Sequence, residues 1–411
     1  MLMSKVSGSC RQIAIADSNS RHRAEVSGAL FSSYRIIEYR NYSQALAGIL
    51  RCPPDLLLVG EKLSPGGGLD LVERLRQHPH LKRLPIIFIC SQDNPEPIEL
   101  VLRCGATTHL LKPYRRSALL SIISGLVNFE VEQHWESLPA LQRTALRGTI
   151  DVFNSISDVI DQGEPIAFAS VAAACQPVVD AVAKNDFKSI LHGVRDHDNY
   201  SYAHSLRVAT LLSLFGYTIG LPESEQIVLT SGGLLHDVGK MSIPQEVLNK
   251  PGALTPSEWE VMKSHVAHSV RYLKATSGIP LAILTIAEQH HEKLDGTGYP
   301  HQLTSTQLNE LARMASIVDV FSALTDRRAY KPPMAAEEAL RIMNCGMTGH
   351  LDENLLHLFG QMLLDAMVDN VESDLTALAP SQVPDYGTIG AVTAVEPGVD
   401  RLRPGDQVAA M

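Results

Sequence analysis

The hydrophobic period of the chain changes once along its length, and that change bounds what it can fold into. Over residues 10–127, short apolar runs alternate with stretches of helical spacing. The runs are Gln12-Ile-Ala-Ile-Ala-Asp17, Asp55-Leu-Leu-Leu-Val-Gly60, Pro85-Ile-Ile-Phe-Ile-Cys90 and Thr108-His-Leu-Leu-Lys-Pro113. Helical spacing falls at 20–32, 43–51, 69–77, 96–104 and 115–127. Continuous apolar runs suit strands covered on both faces, and strict alternation predicts a doubly wound parallel α/β sheet. From 165 to 375 the pattern is helical almost throughout, with stops at 220–222, 250–252, 277–280, 295–298 and 331–333. That predicts an all-α domain. Thr255-Pro-Ser-Glu258 reads as one of its helix starts, with an N-cap, a first-turn proline and a capping box.

The chain therefore divides into an α/β unit (10–127), a helical linker (128–164), an all-α unit (165–375) and a small β-like C-terminal appendage (376–411). The linker stripe of Leu138, Leu141, Leu146, Ile150, Phe153, Ile156 and Ile160 either pairs with a second copy, giving a homodimer, or packs on its own chain. Net charge is −10 over 411 residues, so no basic field recruits a nucleic-acid polymer, and a phosphate-bearing ligand must meet a local positive site. Six scattered cysteines without a CxxC pair suit reduced thiols. The start lacks a signal-peptide core. The longest apolar stretch, 165–183, is broken by Gln176, Pro177 and Asp180, and reads as a buried helix pair and not a membrane span. A cytoplasmic protein is expected, with no membrane partner.

Chemistry concentrates in the all-α unit. His204, His236, His265, His290 and His291 stand there with Asp237 and Asp319, in apolar or helical surroundings. Gly233-Leu-Leu-His-Asp-Val-Gly-Lys240 reads as an apolar helical run that presents two ligand types side by side, and His290-His291 repeats the device. A lone buried histidine is more often a hydrogen-bonded core residue. Two such doublets are different, because burying that many polar groups without a shared partner costs about a few kcal/mol each. Imidazole and carboxylate are ligands for zinc, iron, manganese and nickel, and a metal cluster satisfies them together.

His236-Asp237-Val-Gly-Lys240 resembles the HD-domain phosphohydrolase signature. His290-His-Glu-Lys-Leu-Asp-Gly-Thr-Gly-Tyr-Pro300 resembles the extended signature of the HD-GYP subfamily, bacterial phosphodiesterases of cyclic di-GMP. The resemblance covers 186–340. It implies hydrolysis of cyclic di-GMP to pGpG, or on to GMP, by water activated between two divalent metal ions, with iron or manganese favoured over zinc or nickel. It implies one metal at His204, His236, Asp237 and Asp319, and a second at His265, His290 and His291 with Asp237 bridging. Asp237 and Lys240 are then catalytic, Lys240 near the scissile phosphate. Arg328 and Lys331 contact the dinucleotide phosphates. A third-metal glutamate found in some members is here Tyr200, which favours two metals and pGpG as product. An aspartate often found three residues after the last ligand is here Ser322, which weakens a contact behind the ligands. The loop Asp295-Gly-Thr-Gly-Tyr-Pro300 either positions His290 and His291 or docks partners such as diguanylate cyclases.

Segment 10–127 resembles the response-regulator receiver domain, through Pro54-Asp55-Leu-Leu-Leu-Val-Gly60, the turn at 65–68 and Leu111-Lys112-Pro113. Asp17, Ser91 and Lys112 fit that family's acidic, hydroxyl and lysine positions, but the phosphoacceptor position reads Gly60. With no carboxylate nucleophile, no ordinary aspartyl-phosphate is expected, and dimerisation or docking is the domain's expected role. Two further readings stay open. One is a scaffold that binds a cyclic dinucleotide or partner proteins with little turnover, and the other a phosphodiesterase for another cyclic dinucleotide such as cyclic GMP-AMP.

Overall fold

The computed structural model describes residues 11–30, 34–91, 98–195, 197–248, 250, 252–276, 278–326 and 334–375. The expected appendage at 376–411 and the expected phosphate contacts Arg328 and Lys331 lie outside the described residues.

The first unit alternates β1 (Gln12–Ala16), α1 (Ser20–Leu30), β2 (Arg35–Tyr39), α2 (Tyr42–Arg51), β3 (Leu56–Gly60), α3 (Gly68–Arg76), β4 (Ile86–Ser91), α4 (Ile98–Arg103), β5 (Thr108–Lys112) and α5 (Arg116–Val127). All strand pairs are parallel, in the order β2-β1-β3-β4-β5. Every residue of β3 is buried, because its two faces carry separate cores. Leu57 and Val59 pack with α2 and α3, and Leu56 and Leu58 with α1 and α5. Strand β2 is absent from the sequence-based expectation. It is an edge strand whose Arg35 and Glu38 face solvent while Ile36 and Ile37 are half-buried, so it offers no continuous apolar run.

The rest of the described chain is helical: α6 (Phe129–Ser137), α7 (Ala140–Gln162), α8 (Phe168–Ala183), α9 (Lys188–Arg195), α10 (Tyr200–Thr218), α11 (Glu223–Leu235), α12 (Gln245–Leu248), α13 (Pro256–Lys274), α14 (Leu281–Gln289), α15 (Glu310–Thr325), α16 (Ala336–Gly346) and α17 (Glu353–Leu375). The capping box at Thr255 and Glu258 opens α13. Stretch 165–183 holds one helix, Phe168–Ala183, running through Pro177, not the expected pair. Val171, Cys175, Val178 and Val182 recur every three or four residues along its buried face, and packing of that stripe holds the helix across the proline. The linker stripe packs on its own chain, with Leu146, Ile150, Phe153 and Ile156 in one core with Val178, Tyr202 and Leu206. Among the described residues, no helix is long and apolar enough to cross a membrane.

The α/β unit touches the helical unit beside the start of α10. The Ser117 amide donates to Asp158 on α7 (2.6 Å), and Arg11 Nε donates to Asp198 (2.9 Å).

Candidate metal centre

Helix α10 carries His204, α13 carries His265 and α15 carries Asp319. The two doublets do not lie inside helices, as the apolar runs around them suggested. Helix α11 ends at Leu235, with His236 its C-cap, and Asp237 caps a 3-10 turn, Val238–Ser242, that contains Lys240. Helix α14 ends at Gln289, with His290 its C-cap and His291 beyond. Adjacent helical residues diverge by about 100°. Leaving the helix at each doublet lets both side chains face one centre. Gly239 makes the first exit fit against α13: a Cβ there would fall 2.0 Å from the His265 carbonyl oxygen, and its amide donates to Ser269 Oγ (2.8 Å).

All seven side chains are buried and meet in two adjoining groups. His204, His236 and Asp319 form one; Asp237, His265, His290 and His291 form the other, and ligand atoms within each lie within 4.8 Å of one another. Asp237 lies between them. Its Oδ2 is 3.1 Å from His236 Nε2, and its Oδ1 is 3.2 Å from His265 Nε2.

The donor set fits divalent cations. His236, His265 and His290 turn Nδ1 to the carbonyl oxygens of Gly233 (2.7 Å), Met262 (2.7 Å) and Ile286 (3.1 Å). A carbonyl can only accept, so each ring is protonated at Nδ1 and keeps its Nε2 lone pair. Those three Nε2 atoms, His291 Nε2 and Asp237 Oδ1 are buried without a hydrogen-bond partner. Leaving such groups unsatisfied costs about 1–3 kcal/mol each, and a cation bound among them removes the cost. Burial, with His236 close by, lowers His290 to about 3, and burial beside His290 holds His291 well below its ordinary value. Both are therefore neutral near pH 7, as a metal ligand must be. Burial opposes ionisation of Asp237 and Asp319, but the facing imidazoles, with Lys240 at Asp237, hold both carboxyls far below their ordinary range.

Around these side chains stand further residues, of which Asp326, Glu292 and Arg116 were not singled out in the sequence. Asp326 faces His204 Nδ1 (2.9 Å). The buried Glu292 accepts from the amides of His301 (2.6 Å) and Leu303 (3.0 Å), folding the 295–300 loop back so that Tyr299 stacks on His291 at 4.7 Å. The loop thus packs against a ligand. Tyr200 stacks on His204 at 5.9 Å. Lys240 Nζ donates to Asp237 Oδ2 (2.6 Å), and both line a small crevice together with Arg116 and Leu120 of α5. No sequence pattern marks Arg116, because its place in the cleft comes from how two units pack.

In the α/β unit, a Cβ at Gly60 would fall 2.6 Å from Asp17 Oδ2. Asp17 accepts from the Asn19 amide (2.8 Å) and pairs with His22 (2.7 Å) and Lys112 (3.3 Å). Burial opposes its ionisation, yet these partners hold its carboxyl below the ordinary value.

Residues 13–124 match the response regulator receiver domain, and residues 191–355 match the HD domain. The chain thus carries an HD domain behind an N-terminal receiver domain. It is 27% identical to a probable cyclic di-GMP phosphodiesterase of Vibrio cholerae over 84% of this chain and 76% of that one. It is 29% identical to the cyclic di-GMP phosphodiesterase response regulator RpfG of Xanthomonas campestris, over 70% of this chain and 69% of that one. A 3'3'-cGAMP-specific phosphodiesterase of Vibrio cholerae is 34% identical over 41% of this chain and 33% of that one.

Proposed function

We propose that the chain hydrolyses one phosphodiester bond of cyclic di-GMP to give pGpG. His204, His236 and Asp319 hold one divalent cation, His265, His290 and His291 the second, and Asp237 is shared. The observation that carries this reading is the set of buried, unpartnered Nε2 atoms converging on Asp237. The bound pair supplies Lewis acidity, lowering the pKa of a water and neutralising charge on the phosphoryl oxygens.

The chain's own residues do the rest. Carbonyl acceptors fix the tautomer of three imidazoles. The Lys240 ammonium orients Asp237 and stands at the cleft, where it steadies the departing 3'-oxygen as the P–O bond breaks. Water supplies the new P–O bond and the proton that the departing oxygen takes. Arg328 and Lys331 are assigned to the phosphates on sequence grounds alone, by planar fork and point charge. Tyr200 on His204 supports two cations over three and so pGpG as the end product. Iron or manganese is the proposed metal.

The likeness to a 3'3'-cGAMP-specific phosphodiesterase favours cyclic GMP-AMP as a second reading. Full-length protein loaded with manganese, or purified anaerobically with iron, should convert cyclic di-GMP to pGpG faster than it converts 3'3'-cGAMP. Faster turnover of the mixed dinucleotide selects the second reading, and turnover of neither defeats both.

A further inference from the structure

The two ring nitrogens of His204 meet carboxylates from a single stretch of chain. Nε2 lies 2.9 Å from Asp319 Oδ1 and Nδ1 lies 2.9 Å from Asp326 Oδ2. Asp326 is the C-cap of α15, seven residues after Asp319, and seven residues return to the same helix face. The imidazole is clamped at both edges. Three of the other four histidines differ, since His236, His265 and His290 turn Nδ1 to neutral backbone carbonyls, and His291 Nδ1 comes no nearer to Asp319 Oδ2 than 3.9 Å. A carbonyl fixes the tautomer. A carboxylate also sets negative charge behind the ring and makes Nε2 a stronger donor to a cation.

Asp326 is itself held. Arg207 Nε lies 3.4 Å from Asp326 Oδ1, and another nitrogen of the same guanidinium donates to Thr325 Oγ1 (2.8 Å). Ser322, between the two carboxylates on α15, is fully buried with its hydroxyl unbonded, and supplies no such support.

We propose that Asp326 is the positioning residue of the His204–His236–Asp319 half of the centre, fixing the tautomer, orientation and donor strength of His204. This rests on the two-cation reading above. It predicts unequal loss: removing Asp326 weakens one cation and spares the one at His265, His290 and His291, none of which Asp326 touches.

The test titrates full-length, chelator-stripped protein with Mn²⁺ alone. Bound ions per chain are counted for wild type, Asp326→Ala, Asp326→Asn and Asp326→Glu, with circular dichroism as the folding control. Wild type is expected to bind two ions. Asp326→Ala should hold one at wild-type affinity and the other about 10–100-fold more weakly. Asp326→Asn should fall between, because an amide oxygen still accepts from Nδ1–H but brings no charge, and Asp326→Glu should recover part of the loss. Should Asp326→Ala fail to fold, Asp326→Asn decides. Two ions bound at wild-type affinity by Asp326→Asn and Asp326→Ala, or equal weakening of both ions in a folded variant, overturns the proposal. Because ions are counted without substrate, a wild type that binds two ions and leaves cyclic di-GMP intact defeats the substrate reading and not this one.

Discussion

The Lys240 ammonium lies 2.6 Å from Asp237 Oδ2, the carboxylate oxygen that also faces His236 Nε2 at 3.1 Å. Lys240 and Asp237 also line one crevice, which places the ammonium beside the carboxylate proposed to be shared between the cations. Replacing Lys240 with the similarly long but neutral methionine should lower kcat by about 10²–10³-fold, the usual loss when a preorganised donor to developing charge is removed. Metal content should stay at the wild-type level, and Lys240→Arg should recover part of the rate. Unchanged kcat in Lys240→Met removes Lys240 from the chemistry.

Gly239 seats the exit of α11 directly on α13. A methyl group there would fall 2.0 Å from the His265 carbonyl oxygen and 2.5 Å from the Ser269 amide nitrogen, both main-chain atoms that cannot swing aside. Gly239→Ala should destabilise the fold by about 1–3 kcal/mol through overpacking. Because the displaced turn carries Asp237 while α13 carries His265, bound metal should fall as well. A denaturant midpoint and a metal count, taken together, check this. A stable variant with full metal content contradicts it.

Much of this cluster was legible in the sequence because four of its seven side chains come as the doublets His236-Asp237 and His290-His291 in apolar runs, and apolar context signals burial. The strands β1, β3, β4 and β5 were legible for the same reason. What escaped shares a cause too. Strand β2 lies at a sheet edge, so Arg35 and Glu38 face water and the apolar run is broken. The break at His236 was hidden because the residues on both sides of it are buried, and an apolar run reads the same in a helix or past its end. Asp326 and Arg116 acquire their roles only through contacts across long sequence separations, 122 residues in the case of Asp326 and His204. Composition and period carry no trace of such pairs.

Arg116 borders the cleft that holds Asp237 and Lys240, although it belongs to the receiver's last helix. Its guanidinium also donates to the carbonyl oxygens of Ala29 (3.2 Å) and Gly28 (3.4 Å) near the end of α1. A carboxylate in its place would repel a dianionic substrate approaching the same cleft. Arg116→Glu should raise KM for cyclic di-GMP several-fold, with metal content unchanged, and the effect should shrink at high salt as screening grows. Steady-state kinetics at low and high ionic strength would reveal it. An unaltered KM places the substrate's path elsewhere.

Asp17 gives the receiver a defined pH dependence. Its carboxyl is lowered from 3.8, because His22, the Asn19 amide and Lys112 together outweigh burial. A depressed folded value stabilises the protein above the unfolded value, and that contribution is lost as pH falls through the folded one. The stability gap between wild type and Asp17→Asn should be present near pH 5 and narrow as pH falls below about pH 4. Urea midpoints of the receiver transition across that range test the sign, and a gap that widens in acid refutes it.

Gly60 stands where a phosphorylatable receiver would need a nucleophile, and the space above it is filled. Asp17 Oδ2 lies where a side chain at 60 would begin, 2.6 Å from the would-be Cβ, and Lys112 and His22 already neutralise it. Wild type incubated with acetyl phosphate should therefore yield no acid-stable, base-labile phosphoprotein on a phosphate-affinity gel. Gly60→Asp should not restore one, since its carboxylate would meet that of Asp17 at contact distance. The same substitution should cost about 1–3 kcal/mol by overpacking, read as a lower denaturant midpoint. A phosphorylated band from wild type means that another residue accepts the phosphoryl group. The receiver would then act as a switch, against the expectation that it serves only dimerisation or docking.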